Sequence, residues 1–207
     1  MGVATTKERI KETALRLFLE KGYAVGINEI IRESGTSKGA FYHHFSSKNE
    51  LFTDTVDEFF FVDYGGIEEV MEDAALSPRS KVSALVKVAF DPFRKISSLL
   101  AVEHEEEKVI NYLGIIAEYP NYENLKNKSM SRFKKLREAF MKVFLSAKEG
   151  KAIAQTVNID TLSTHLGILI DGAILDSILT FGSVEKSEEI CLKSVEQLLD
   201  LLRPELN

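Results

Sequence analysis

The sequence predicts an all-α fold, a three-helix head followed by a bundle of longer helices, about nine helices in all. Apolar residues recur at helical spacing from Ile10 onward, and helix-stopping residues fall between the periodic stretches. No alternating strand pattern, internal repeat or low-complexity tract competes with that reading. At 207 residues, 44% hydrophobic and 28% charged, the chain is long enough to bury a core.

The first helix places Ile10, Ala14, Leu17, Phe18 and Lys21 along one face, starts at a capping box formed by Thr5 and Glu8, and stops at Gly22. A second, short helix from Ile27 to Ser34 carries Ile27, Ile30 and Ile31 and ends at Gly35. Thr36 and Ser37 offer a cap for a third helix, Lys38 to Phe45, and Ser47 with Glu50 makes another capping box that opens a fourth. Longer helices are expected over 48–63, 78–99 with a bend at Asp91-Pro92, 103–118, 121–149, 160–181 and 187–202. Pro120, Gly150 and Asn158 or Asp160 mark their ends. The change from short to long helices divides the chain into 1–50 and 51–207.

The single cysteine, Cys191, excludes an intramolecular disulfide framework, and the charged N-terminus lacks a signal-peptide core, so a cytoplasmic setting is expected. The longest apolar candidate for a membrane span, "LGILIDGAILDSIL", is broken by Asp171 and Asp176, which argues against a membrane partner. The net charge of -6 is unevenly spread. Residues 1–50 hold eight Lys/Arg against six Asp/Glu, while the rest holds 18 against 26, a pattern that fits a nucleic-acid-facing head on an acidic body.

Two short helices joined by a glycine turn, "INEIIRESGTSKGAFYHHF", match a helix-turn-helix. On the second helix Phe41 and Phe45 fall on one face, the core side. Opposite them lie Gly39 and His43, with Ala40 leaning the same way, and Tyr42 and His44 point to the two flanks. Small residues let a backbone approach base edges, Ala40 suits a thymine methyl, and Lys38 and His43 donate to purine acceptors. Tyr42, His44 and Lys48 suit phosphates. A partly buried aromatic corner would have the same composition. Metal binding is not expected, because no Cys or further His stands at ligand spacing.

Residues 5–52 resemble the DNA-binding head of the TetR family of transcriptional regulators. In that family a Ser-Lys-Gly-x-x-Tyr-x-His-Phe run precedes a Lys and a Leu-Phe; the counterparts here are Ser37, Lys38, Gly39, Tyr42, His44, Phe45, Lys48, Leu51 and Phe52. The expected DNA-binding set is therefore Ser37, Lys38, Gly39, Ala40, Tyr42, His43, His44 and Lys48. Two departures stand out. The turn after Gly22-Tyr23 is one residue shorter than usual, and Gly26 replaces the Ser or Thr that often caps the second helix and touches a phosphate.

The resemblance also implies a homodimer on a palindromic double-stranded DNA operator, released by a small-molecule effector, with no cofactor and no catalytic role. The C-terminal stripes Leu162, Leu166, Leu169 and Ala173, and Cys191, Val195, Leu198 and Leu202, are candidates for the dimer interface, although ordinary core would show the same stripes. Candidate effector-pocket residues are Phe90, Phe93, His104, Tyr112, Glu118, Tyr119, Phe140 and His165.

Overall fold

The computed structural model describes residues 4–60, 65–99, 114–179 and 183–202. Among them it is all helical: α1 (Thr6–Lys21), α2 (Ile27–Glu33), α3 (Lys38–His44), α4 (Lys48–Phe60), α5 (Gly65–Glu72), α6 (Pro78–Leu99), α7 (Glu123–Glu149), α8 (Ile159–Leu179) and α9 (Val184–Leu201). Residues 114–118 are also helical and lead into a 3₁₀ turn, Tyr119–Asn121. The described residues fall into two compact units, one within 1–62 and 95–128, the other within 63–94 and 129–207.

In the first unit the expected signals act as local chemistry requires. The Thr5 hydroxyl accepts from Glu8 N–H at 3.2 Å while the Glu8 carboxylate accepts from Thr5 N–H at 2.7 Å, so both members of the capping box are closed. Ile10, Ala14, Leu17 and Phe18 are buried as their spacing demands. Ser47 caps α4 through Glu50 N–H at 3.1 Å, but the Glu50 carboxylate reaches back to Ser46 N–H, 2.7 Å away, instead of to Ser47. Those contacts with Ser46 hold the Glu50 carboxyl below the usual range.

The second unit has its own apolar core. Val82, Leu85, Val86, Ala89 and Phe90 of α6 meet Leu136, Ala139, Phe140, Val143 and Phe144 of α7, together with buried residues of α8 and α9. Each fully buried large side chain stabilises by about 1.5–3 kcal/mol. Pro92 sits inside α6 with its side chain buried. A proline removes one backbone donor and loosens the ladder around it; nearby, the Arg132 guanidinium donates to the Ala89 carbonyl at 3.3 Å and stands 5.4 Å from the Phe93 ring centre. Arg79 and Arg94 tie α6 to α9, the first through Glu196 and Asp200, the second through Glu188.

Helix α5 was not expected from the sequence. Its opening Gly65-Gly66 reads as a break, yet an added Cβ at Gly66 would lie 3.1 Å from Val88 Cγ2, so the glycine allows close approach to α6. Asn158, not Asp160, caps α8, accepting from Thr161 N–H at 2.9 Å, and Ser183 starts α9 three residues earlier than expected by accepting from Lys186 N–H.

Four of the eight expected dimer-interface residues face inward. Leu162, Leu166, Cys191 and Val195 are buried in their own chain's core, and Leu169, Ala173, Leu198 and Leu202 pack partly buried against it. The large apolar residues left exposed on these helices are Ile168, 64% exposed, and Leu175 in α8, and Ile190, 52% exposed, and Leu201 in α9. Ile168, Leu169, Gly172, Ala173 and Ile190 line a groove between α8 and α9.

Candidate nucleic-acid interface

The reading helix is built by four local devices. Gly35 takes φ +61, a left-handed conformation that ends α2 without side-chain strain. The Ser34 hydroxyl then donates to the Ile31 carbonyl at 3.1 Å, and Thr36 N–H donates to the same carbonyl at 3.2 Å. Ser37 caps α3, its hydroxyl accepting from Ala40 N–H at 3.1 Å. Phe41 and Phe45 are fully buried, with ring centres 5.9 Å apart, and so clamp one face of α3 to the head.

That clamp fixes what remains outside. Lys38, Gly39, His43 and Tyr42 are exposed, Tyr42 at 47%, while Ala40 and His44 are half-buried. Tyr42 leans edge-on against Phe41 at 5.3 Å between centres, and His44 lies tilted beside Phe45 at 6.5 Å. His43 and His44 place their rings edge to face at 5.0 Å. An added Cβ at Gly39 would meet only Ser37 Oγ, at 3.9 Å, so nothing inside the chain requires a glycine there.

Charge sharpens the surface. No Asp or Glu occurs between Glu33 and Glu50, so α3 itself carries Lys38 and the two histidines with no acid in its own sequence, and the Glu50 carboxylate returns only to Ser46 in the turn after it. Five other cations of the head are paired: Lys7 with Asp54, Lys11 with Glu58, Arg16 with Glu20 and Glu33, and Lys21 and Arg32 with Glu29. Lys48 starts α4 half-buried, its ammonium 4.2 Å from the Tyr23 ring centre, and burial pushes its pKa down. Gly26 caps α2 without a side-chain hydrogen bond and leaves open space around itself. A short helix with an apolar underside, a smooth small-residue ridge and uncompensated cations at its margin has the form that a major groove accepts.

Of the candidate pocket residues, Phe90, Phe93 and Phe140 share the core of the second unit. Phe90 and Phe140 are fully buried core, Phe93 lies half-buried by Arg132, His165 is exposed, and Glu118 accepts from the Asn121 side-chain amide at 2.9 Å. His104, Tyr112 and the Tyr119 side chain lie outside the described residues. The second unit contains an apolar pocket of about 200 Å³ lined by Pro78, Arg79, Val82, Val143, Phe144, Ala147, Ala152, Ile153 and Leu199, none of them foreseen. Among the described residues no helix is long and apolar enough to cross a membrane, and no cluster of His, Cys, Asp and Glu could hold a metal ion.

Comparison with known proteins agrees with this geometry. Residues 10–55 match the model of the bacterial regulatory proteins, tetR family. The HTH-type transcriptional regulator YerO of Bacillus subtilis is 39% identical over 42% of this chain and 31% of its own length. The HTH-type transcriptional repressor KstR2 of Mycolicibacterium smegmatis is 26% identical over 53% of this chain and 49% of its own. The chain thus spans less than half the length of these curated relatives. YxaF, an HTH-type transcriptional regulator of Bacillus subtilis, is 26% identical over 96% of this chain and 95% of its own. In fold, the ketosteroid transcriptional regulator KstR2 of Mycobacterium tuberculosis superposes with a TM-score of 0.68, at 17% identity, over 99% of this chain and 98% of that one.

Proposed function

We propose that this chain is a TetR-family transcriptional regulator with a DNA-binding helix-turn-helix and not an enzyme, and that it acts as a homodimeric repressor that binds a palindromic operator and leaves it when a small effector binds. The head within 1–50 reads the DNA, and the remainder of the chain, 51–207, binds effector and pairs.

The observation that carries the reading is the exposed, acid-free face of α3 clamped from beneath by Phe41 and Phe45. On it Gly39, Ala40 and His43 face base edges, and Ser37, Lys38, Tyr42 and His44, with Lys48 at the start of α4, hold the backbone. A helix of seven residues covers few base pairs, so useful specificity calls for two copies about one helical turn apart. The groove between α8 and α9, with Ile168 and Ile190 exposed and no atom within 4 Å of a Cβ added at Gly172, suits close packing by the same helices of a second copy. The apolar pocket in the second unit supports a small, largely apolar effector.

Repression by release requires that effector favour a state of the dimer whose heads no longer fit adjacent major grooves. Selection of binding sites from a random duplex pool tests the reading. The expected product is an inverted repeat with half-sites about 10 bp apart; a pool that fails to enrich at low salt would refute it.

A further inference from the structure

Taking Lys48 as a phosphate contact, which rests on the reading above, we infer that Tyr23 is its positioning residue and that Tyr122 holds Tyr23 in place. The Lys48 ammonium rests 4.2 Å from the Tyr23 ring centre, within cation–π range. That ring is held on several sides. Its hydroxyl donates to Asn49 Oδ1 at 2.5 Å and accepts from the Tyr122 hydroxyl at 3.1 Å. Its edge meets Phe52 at 4.8 Å between centres, its face tilts toward Phe18 at 6.0 Å, and Phe52 itself lies 5.3 Å from Tyr122. Phe18 and Phe52 are fully buried, so the support beneath Tyr23 belongs to the core of the head.

The arrangement matters because a lysine is a poor ligand when loose. Its long stem loses rotamer freedom on fixing a phosphate. A side chain already resting on an aromatic face has lost part of that freedom before DNA arrives, which leaves more of the contact energy for binding. Tyr122 stands 99 residues along the chain from Tyr23 and directly before α7. The hydroxyl link therefore makes the seat of a DNA-facing lysine depend on a distant stretch of sequence.

The test is the salt dependence of binding to a fluorescein-labelled mixed-sequence duplex, with thermal unfolding measured alongside. Lys48→Ala should lower the slope of log K against log salt by about 0.9, the loss of one phosphate. Tyr23→Leu should fall to the same slope and affinity, Tyr23→Phe should recover the slope because the ring remains while its affinity stays below wild type because the bond from Tyr122 is gone, and Tyr23→Leu combined with Lys48→Ala should bind no worse than Lys48→Ala alone. If Tyr23→Leu keeps the wild-type slope, or if its loss adds to that of Lys48→Ala, the positioning role is overturned. Where Tyr23→Leu does not fold, Tyr122→Phe removes a single hydroxyl. It should weaken binding with Lys48 present and have no effect in the Lys48→Ala background; equal losses in both backgrounds overturn the proposal. A wild-type slope in Lys48→Ala itself removes the phosphate contact on which the proposal stands, an outcome distinct from failure of Tyr23 alone.

Discussion

Lys7 Nζ lies 2.9 Å from Asp54 Oδ2, joining α1 to α4, and Lys11 and Glu58 repeat the contact one turn further along. The same Lys7 ammonium stands 5.4 Å from the centre of the Phe45 ring. These cations hold the head together and are already neutralised. Lys7→Met should therefore leave the salt slope of DNA binding near its wild-type value and cost the head less than about 1 kcal/mol, as partly exposed pairs do. Lys38→Ala should lower the slope by about 0.9 without lowering the melting temperature. Equal slopes for the two variants would mean that this division of cations is wrong.

Gly39→Ala separates folding from binding. A glycine in a helix costs roughly 0.5–1 kcal/mol relative to alanine, and a Cβ here meets only Ser37 Oγ at 3.9 Å. The variant should melt at the wild-type temperature or above it, yet bind DNA more weakly, because the methyl stands between helix backbone and bases. Undiminished affinity would show that α3 does not approach so closely.

Thr55 offers a stability test away from the binding face. Its side chain is fully buried in the first unit and its hydroxyl has no hydrogen-bond partner among the described residues. Burying an unsatisfied hydroxyl costs about 1–3 kcal/mol. Thr55→Val should raise the denaturation midpoint by about 1 kcal/mol equivalent with DNA affinity unchanged, and a lower midpoint would count against the packing around α4.

Lys48 gives a pH signature. Burial pushes its pKa below the ordinary lysine value in the free protein, and a phosphate beside it would push the value back up. Its contribution to binding is then full below the free-protein pKa and lost as pH rises through the bound value, with proton uptake on binding between the two. Calorimetry in buffers of different ionisation heat should detect that uptake on the alkaline side of neutrality. Lys48→Arg, whose guanidinium stays charged, should abolish it, and uptake that persists in the variant would assign it to another group.

Cys191 should be chemically quiet. Burial in the core pushes its thiol up to about 11, so little thiolate exists near neutral pH. Iodoacetamide should label the native protein slowly and the urea-unfolded protein quickly. Rapid native labelling would place Cys191 on an accessible face.

Local signals were readable in the sequence because their physics is local. The Thr5–Glu8 box, the Ser37 cap and the Phe41–Phe45 spacing each involve residues within one turn, and each forms as expected. Face selection on α8 was not readable. Leu162, Leu166, Ile168, Leu169, Ile170, Ile174 and Leu175 surround that helix with apolar residues, so periodicity chooses no side. Only packing against α6, α7 and α9 assigns Leu162 and Leu166 inward and leaves Ile168 outside. The Tyr23–Tyr122 link was hidden for another reason, since no pattern within a helical turn connects residues 99 apart. Helix α5 was not foreseen, and its Gly66 serves a close approach to Val88, a contact that no pattern within a helical turn reveals.

Sequence selection run in parallel on wild type, His43→Ala and Lys48→Ala tests most directly that α3 and the start of α4 divide into base-reading and phosphate-gripping residues. His43→Ala should select a changed base at one position of each half-site while keeping the salt slope. Lys48→Ala should select the wild-type site more weakly with a slope lowered by about 0.9. If both variants select the wild-type site with the same uniform loss, α3 does not read the groove in the way described.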